Sequence, residues 1–396
     1  MPKPSMAAAF DQFIDVRSKS DREVAELLHA LGIDIAIDLA GHTQHGRLGI
    51  LAMRPAPIQA SYLGFPATTG ADFIDYIIAD AIVLPFDQQP CYTERIVHLP
   101  DSYQVNDSRR AIAARTPARE ELGLPAQDVV FCCFNNTWKM APPVFDVWMR
   151  LLDRVAGSVL WLRCDKPRAE ANLRSEAAAR GIDPARLVFA DTLPDYRDHL
   201  ARHRVADLFL DTLPFNAHTT ASDALWAGLP VLTCRGRTFS GRVAASLLNA
   251  VGLPQLVTES LDEYEALALR LATEPALLRA FRRTLEENRL RSPLFDTARL
   301  CRHIEAAYTM IERMFPDLPK LELFARQARP GWEVWGNQVN KFDNGYDAQD
   351  DVTKSFDAAY EAMRQRVAKG GPGWAPKCSP KTLPLMTFQA RPSCGT

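Results

Sequence analysis

Three short stretches of this 396-residue chain bring together residue types that can hold an anion or a sugar. The longest runs Leu210-Asp211-Thr212-Leu213-Pro214-Phe215-Asn216-Ala217-His218-Thr219-Thr220-Ala221-Ser222-Asp223. Its apolar start predicts a strand ending near Asp211, and its far half predicts a helix starting about Thr219. Backbone N–H groups and two threonine hydroxyls would then converge beside the carboxyl end of a strand. Such a helix start favours a diphosphate through its unpaired donors and the positive end of its dipole. Asp223, four residues beyond Thr219, is placed to accept hydrogen bonds from a ribose. The same residues also suit an ordinary helix start, with His218, Thr219 and Thr220 as caps and Asp223 exposed.

The second stretch, Phe134-Asn135-Asn136-Thr137-Trp138-Lys139-Met140, again follows a predicted strand. Lys139 can neutralise phosphate charge and Asn136 can hydrogen-bond a base or a sugar; an asparagine-rich turn with a solvated lysine fits as well. The third, Pro194-Asp195-Tyr196-Arg197-Asp198-His199-Leu200-Ala201-Arg202-His203, sets His199 and His203 one helical turn apart. That spacing permits a metal, but no Cys or third His is near in sequence and the H-E-x-x-H pattern is missing. The better reading puts His199 and Arg202 next to strand carboxyl ends, with no metal.

These stretches need a scaffold that repeats strand and helix. Ser20 and Glu23 form a capping box before Val24, Leu27, Leu28 and Leu31 at helical spacing, and Gly32 ends that helix. Strands are predicted at Ile33 to Leu39, Ile58 to Leu63, Tyr76 to Ile78 and Ile96 to Leu99, and the polar region 101–125 suits a linker. Apolar runs then recur at Val129 to Phe134, Val159 to Cys164, Leu187 to Ala190, Leu208 to Leu210 and Val231 to Cys234, each followed by a helical pattern. This predicts a parallel sheet with crossover helices. Helices at Leu261 to Leu271, Ala276 to Asn288 and Thr297 to Arg313 finish the compact part. Residues 316–396 read as an irregular tail with one helix at Val352 to Val367.

Composition removes several classes of function. With 46 Lys+Arg against 48 Asp+Glu the formal net charge is −2, which does not suit a coat on nucleic acid. No apolar run reaches the length of a membrane span and no secretory leader opens the sequence, so the expected place is the cytosol, away from membranes. The eight cysteines are scattered without C-x-x-C spacing, and several sit in predicted strands as reduced core thiols. No G-x-G-x-x-G, P-loop or G-x-S-x-G elbow is present. Asp343, Asp347 and Asp350 lack the glycine and glutamate of a calcium loop.

Taken together, the stretches Asp38-Leu39-Ala40-Gly41-His42-Thr43, Arg54-Pro55-Ala56-Pro57-Ile58-Gln59, Leu63-Gly64-Phe65-Pro66-Ala67-Thr68-Thr69-Gly70-Ala71, Phe134-Asn135-Asn136 with Lys139, Asp211-Thr212-Leu213-Pro214 into His218-Thr219-Thr220, Leu225-Trp226-Ala227-Gly228 and Arg242-Val243-Ala244-Ala245-Ser246 carry a family likeness. Over roughly Phe13 to Met314 the chain resembles the catalytic region of the O-linked N-acetylglucosaminyltransferase/SPINDLY family in its bacterial form. The resemblance implies an α/β protein of GT-B type, two Rossmann-like lobes with a cleft between them. The expected division is 1–118 for the acceptor-side lobe, 119–315 for the nucleotide-sugar lobe and 316–396 for the tail.

The implied activity is inverting, metal-independent transfer of N-acetylglucosamine from UDP-N-acetylglucosamine to Ser or Thr hydroxyls of a protein or peptide, with no cofactor beyond the donor. Donor-binding positions carry over to Asn136, Lys139, His199, Arg202, His218, Thr219, Thr220 and Asp223, with Pro194 to Tyr196 against the nucleobase. Lys139 and the helix start at Thr219 would stabilise the diphosphate leaving group, and His218 and His42 are the bases to test. The family's tetratricopeptide repeats are absent from this sequence and the likeness starts only at Phe13, so the first lobe is expected to be incomplete. Asn136 stands where animal members have glutamine and Tyr196 where they have lysine, which bears on the choice of base. GDP-fucose as donor, or a sugar-nucleotide-binding remnant without turnover, are the competing expectations.

Overall fold

A computed structural model describes residues 10–314. The predicted tail, its helix at Val352 to Val367 and the Asp343 cluster lie outside the described residues. The described chain divides into two compact units. Among the described residues, one takes in 10–78 together with Asp87–Val97 and 306–314; the other takes in Ala79–Phe86 and His98–Glu305.

A four-stranded sheet has the order β1 (Ile35–Asp38), β2 (Ile58–Tyr62), β3 (Tyr76–Asp80), β4 (Arg95–Leu99). The β1–β2 and β2–β3 pairs are parallel, with Ile35 opposite Ile58 and Ala60 opposite Tyr76. Every residue of β2 and β3 is buried, although β2 (Ile-Gln-Ala-Ser-Tyr) alternates apolar and polar in sequence, so its polar side chains are enclosed rather than turned to solvent. Gln59, Ser61 and Asp80 are the buried polar residues of the two strands, and Gln59 Nε2 donates to the Leu51 and Phe73 carbonyls at 2.8 and 2.7 Å. Helix α1 (Asp21–Ala30) opens on the predicted capping box: Glu23 N–H donates to Ser20 Oγ and Ser20 N–H to Glu23 Oε2. Just past its end Gly32 takes a φ of 66°, a left-handed conformation glycine adopts without steric cost. A short helix, α2 (Leu48–Ala52), follows β1.

The second sheet has six strands: β5 (Val130–Cys133), β6 (Val159–Arg163), β7 (Leu187–Ala190), β8 (Leu208–Leu210), β9 (Val231–Cys234) and β10 (Val257–Thr258). Between them run α3 (Pro142–Arg154), α4 (Pro167–Ala179), α5 (Tyr196–Arg202), α6 (Thr219–Ala227) and α7 (Val243–Ala250); α8 (Leu261–Thr273), α9 (Pro275–Arg289) and α10 (Thr297–Met314) follow. Every pairing is parallel and the spatial order is β10-β9-β8-β5-β6-β7. The chain therefore winds outward from β5 in one direction through β6 and β7, then returns to β5's other side with β8. That reversal creates a crevice at the carboxyl ends of β5 and β8, the place where open α/β sheets bind ligands. Trp148, Trp161, Phe131, Phe134 and Phe209 are all but fully buried and fill the core against the sheet. Among the strands of the described residues only β10 was not predicted, because two residues carry no periodicity; the five-residue helix α2 was not predicted either.

The region 101–125 differs from the expected linker. Tyr103 is 1% exposed, and Gln104 and Asn106 are buried. Tyr103 N–H donates to Asp80 Oδ2 at 2.9 Å and Gln104 Nε2 to Ser222 Oγ at 2.7 Å. The stretch looks solvated in sequence because it is polar, yet several of its polar groups find partners far along the chain. Cys132, Cys133 and Cys234 are buried free thiols, and burial pushes all three up from the ordinary thiol range. Among the described residues no helix is long and apolar enough to cross a membrane.

Candidate nucleotide-binding site

The β5–β8 crevice is tied across by side chains. Asn135, just past β5, donates from Nδ2 to Thr212 Oγ1 at 2.7 Å and to Asp211 Oδ1 at 3.3 Å, just past β8. Its Oδ1 accepts from Thr220 Oγ1 in the first turn of α6. Asp211 is the centre of the loop that follows β8: its carboxylate accepts from the Thr212 and Ala217 N–H groups at 2.7 and 2.6 Å and from Thr233 Oγ1 at 2.7 Å. Burial pushes this carboxyl up to about 6, against the pull of those donors and of Lys139. Four donors on one buried carboxylate fix the path of residues 212–217 and so decide where α6 begins.

Helix α6 starts at Thr219 with His218 as its N-cap, and no side chain caps it. Thr219 is exposed and Thr220 half-buried. Lys139, at the end of a single 3-10 turn Thr137–Lys139, reaches across from the β5 side. Its Nζ donates to the Asn216 carbonyl at 2.9 Å and stands 4.1 Å from the Phe215 ring centroid. Burial lowers Lys139 to about 8, although Asp211 and Cys133 act in the other direction. A half-desolvated cation therefore sits beside the open end of a helix.

His218 stacks on Phe215 with centroids 4.8 Å apart, and its Nε2 meets the Ser240 carbonyl at 3.1 Å. A carbonyl only accepts, so Nε2 carries the proton and Nδ1 the lone pair. Burial first, and Lys139 second, lower His218 to about 3, which keeps the ring neutral. Asn136 is exposed at the start of the 3-10 turn and makes no side-chain capping bond.

The third stretch folds as α5. Arg202 is buried; its Nη1 donates to the Asp191 carbonyl at 2.6 Å and its Nη2 to His199 Nδ1 at 2.7 Å. His199 thus has its lone pair at Nδ1 and its proton at Nε2, and burial followed by Arg202 lowers it to about 4. His203 Nδ1 donates to the His199 carbonyl at 2.8 Å, so the two imidazoles are set at 90° rather than turned toward one point. Among the described residues no group of three His, Cys, Asp or Glu is placed to hold a metal ion. Tyr196, 45% exposed, stacks on His199 at 5.8 Å. Its hydroxyl donates to Asp223 Oδ1 at 2.5 Å, and Arg110 Nη1 donates to the same oxygen at 2.6 Å. Asp223 is buried, not the exposed residue of the simple cap, and burial raises its carboxyl despite these two donors.

One compact unit therefore brings together Asn136, Lys139, Tyr196, His199, Arg202, His218, Thr219, Thr220 and Asp223. His42 belongs to the other unit, where its Nε2 meets the Thr69 carbonyl at 2.8 Å and its ring meets Phe65 edge-on. Thr69 in turn is held by the buried Glu94 carboxylate, which accepts its backbone N–H at 2.6 Å. Sequence reasoning missed Asn135 as the strap across the crevice and Arg110 altogether. Asn135 had a signal, a polar residue closing an apolar run; Arg110 had none, since its carboxylate partner lies 113 residues away.

The sequence pattern of glycosyl transferase family 41 matches residues 3–116 and 110–304; a shorter stretch, 286–338, matches the MT-A70 pattern. The chain is 40% identical over 304 residues to the probable UDP-N-acetylglucosamine–peptide N-acetylglucosaminyltransferase SEC of Arabidopsis thaliana, covering 75% of this chain and 31% of that one. It is 33% identical over 322 residues to the probable UDP-N-acetylglucosamine–peptide N-acetylglucosaminyltransferase SPINDLY of Petunia hybrida, covering 79% and 34%. The chain thus spans about a third of the length of these relatives. Among solved structures it is similar to a lysine-to-methionine mutant of the Thermobaculum terrenum O-GlcNAc transferase, with a TM-score of 0.70 and 32% identity over 79% of this chain and 59% of that one. The two parallel Rossmann-like sheets are those of a GT-B fold.

Proposed function

The chain belongs to glycosyl transferase family 41, and on that premise we propose that it transfers N-acetylglucosamine from UDP-N-acetylglucosamine to a Ser or Thr hydroxyl of a protein or peptide, with inversion. The observation that carries this reading is the meeting of Lys139 and the uncapped start of α6 at the β5–β8 crevice. In that reading the donor's diphosphate lies against the N–H groups of α6, the Thr219 and Thr220 hydroxyls and Lys139 Nζ. The ribose lies at Asp223, the nucleobase along Pro194 to Tyr196, and Asn136, His199 and Arg202 line the donor.

The reaction breaks the anomeric C–O bond, and its electron pair stays on the diphosphate. Fixed positive charge at that oxygen lowers the barrier most because it interacts more strongly with the leaving group than with the intact donor. Lys139, already stripped of much of its water, supplies that charge with little reorganisation. The acceptor oxygen attacks the anomeric carbon from the opposite face and loses its proton. His218 is the candidate to receive it at Nδ1, since its ring enters neutral and a bound diphosphate raises its basicity. His42, carried by the family resemblance, is the second candidate.

The test is incubation of the full chain with labelled UDP-N-acetylglucosamine and a Ser/Thr peptide library. Transfer that disappears in Lys139→Ala supports the reading. Transfer from GDP-fucose but not from UDP-N-acetylglucosamine would replace the donor, and nucleotide binding without turnover would replace the enzyme by a binding protein.

A further inference from the structure

Asp223 is asymmetric. Both protein donors that reach it, Arg110 Nη1 and Tyr196 Oη, converge on Oδ1, while Oδ2 meets no protein donor among the described residues and keeps contact with solvent. The Arg110 side chain is itself 15% exposed and fixed on three sides. Its Nε donates to the Asp107 carbonyl at 3.3 Å, its Nη1 also donates to Tyr196 Oη at 3.1 Å, and its guanidinium lies 5.7 Å over the ring of Trp226, whose Nε1 donates to the Arg110 backbone carbonyl at 3.0 Å. Its Nη2 is buried without a partner, donor capacity that no protein group uses.

We propose that Arg110 is a positioning residue of the nucleotide site: by saturating Oδ1 of Asp223 it orients the carboxylate so that Oδ2 is left as the acceptor for a ribose hydroxyl. This rests on the reading of the β5–β8 crevice as a nucleotide site and adds to it the residue that makes Asp223 discriminate ribose from deoxyribose. A free carboxylate would rotate and share its lone pairs with water; one pinned through Oδ1 presents the other oxygen in a single direction, and a ligand lacking the hydroxyl leaves that oxygen desolvated and unpaired. Among the described residues, the charged and titratable groups that face Asp223 are Arg110, from the segment before β5, and Tyr196, from the start of α5. Both hydrogen bonds favour the ionised form that a hydroxyl donor needs.

Calorimetric titration of the full chain with UDP and GDP, and then with the 2′-deoxy and 3′-deoxy forms of whichever binds, tests this. The native chain should bind the ribonucleotide about 10-fold more tightly than at least one deoxy form. Arg110→Met keeps the stem on Trp226 and the backbone bond, and should weaken the ribonucleotide by about 10-fold while bringing that ratio close to one. Arg110→Lys should recover part of both. The acid limb of binding should move to higher pH in Arg110→Met, because the carboxylate loses a donor that holds it ionised. Should Arg110→Met fail to fold by circular dichroism, Tyr196→Phe, which removes the other Oδ1 donor from an exposed ring, carries the same comparison. Unchanged discrimination, or equal weakening of ribo and deoxy forms with no shift in the acid limb, would overturn the role of Arg110 and leave the nucleotide site standing. No binding of either nucleotide by the native chain would instead sink the site itself, and the inference with it.

Discussion

Lys139 Nζ donates to the carbonyl of Asn216 at 2.9 Å, so a cation carried by the loop after β5 is anchored on the loop after β8, two residues before the His218 cap of α6. The charge and the helix start are therefore parts of one strapped unit, and changes on either loop should be felt at the other.

Lys139 should set an alkaline limit on the reaction. Burial lowers it to about 8, so the cation is present below that pH and is lost as pH rises through it. We expect kcat/KM for the donor to fall with an apparent pKa near 8. Lys139→Ala should lower kcat roughly 10²–10³-fold, the usual loss for one preorganised donor. Lys139→Arg should remove the limb; a pH–rate profile with the same limb in that variant would assign it to another group.

Asp211 should stabilise the fold through its four donors. Asp211→Asn can keep its Oδ1 for the Thr212 and Ala217 N–H groups and the Asn135 amide but sets an NH₂ against the Thr233 hydroxyl, which must turn to accept, and the expected loss is about 0.5–1.5 kcal/mol in urea unfolding at pH 7. The native carboxyl is raised from 3.8 to about 6, so the native state binds the proton more readily than the unfolded chain. The stability it contributes is fully present below about pH 4 and declines as pH rises to about 6. The Asn variant should lack that slope, and an identical slope would mean that Asp211 does not titrate there.

Gly241 is where the neighbouring loop crosses the 212–217 loop. A Cβ on it would lie 2.6 Å from the Pro214 carbonyl oxygen, closer than side-chain carbons approach backbone. Gly241→Ala must displace that loop, at a cost of about 1–3 kcal/mol. Because Asn216 moves with it, the donor KM should rise. A variant with native melting temperature and native KM would show that the loops yield without consequence.

Arg202 should control the titration of His199. The Nη2 donor occupies His199 Nδ1 and adds a like charge, both of which disfavour the imidazolium. In Arg202→Gln the His199 pKa should rise from about 4 while staying below 6.5, since burial remains its largest cause. An NMR titration of the ring carbons reads this directly, and a value still near 4 would leave burial and the nearby Arg163 as the causes.

The site was legible in part because each half of it is local. Asn136 to Lys139 follow one strand, and Asp211 to Asp223 join a strand to a helix, so residue type and order alone placed both at carboxyl ends. The helix start at Thr219 and the capping box at Ser20 followed from chemistry within a few residues. What stayed hidden depends on distance along the chain. Arg110 looked like one more charge in a solvated connector, and only the folded chain brings it to Asp223 in the candidate site. The buried Tyr103 and Gln104 were unreadable for the same reason, their partners being Asp80 and Ser222.

The sequence by itself determined the alternation of strand and helix, and with it a parallel sheet, because hydrophobic period and turn chemistry are short-range properties. The seven motifs also determined the family, since their order is written in the chain. The tertiary structure alone decided the strand order β10-β9-β8-β5-β6-β7, which lays the ends of β5 and β8 side by side. No local preference encodes which of two parallel neighbours a strand takes; that choice follows from burying helices on both faces of the sheet at once. The same packing decided that Asp223 is buried with two donors on one oxygen, and that Lys139 loses enough water to titrate near 8. Burial and pairing are set by groups far apart in sequence, so the chemistry of those side chains exists only once the chain has closed on itself.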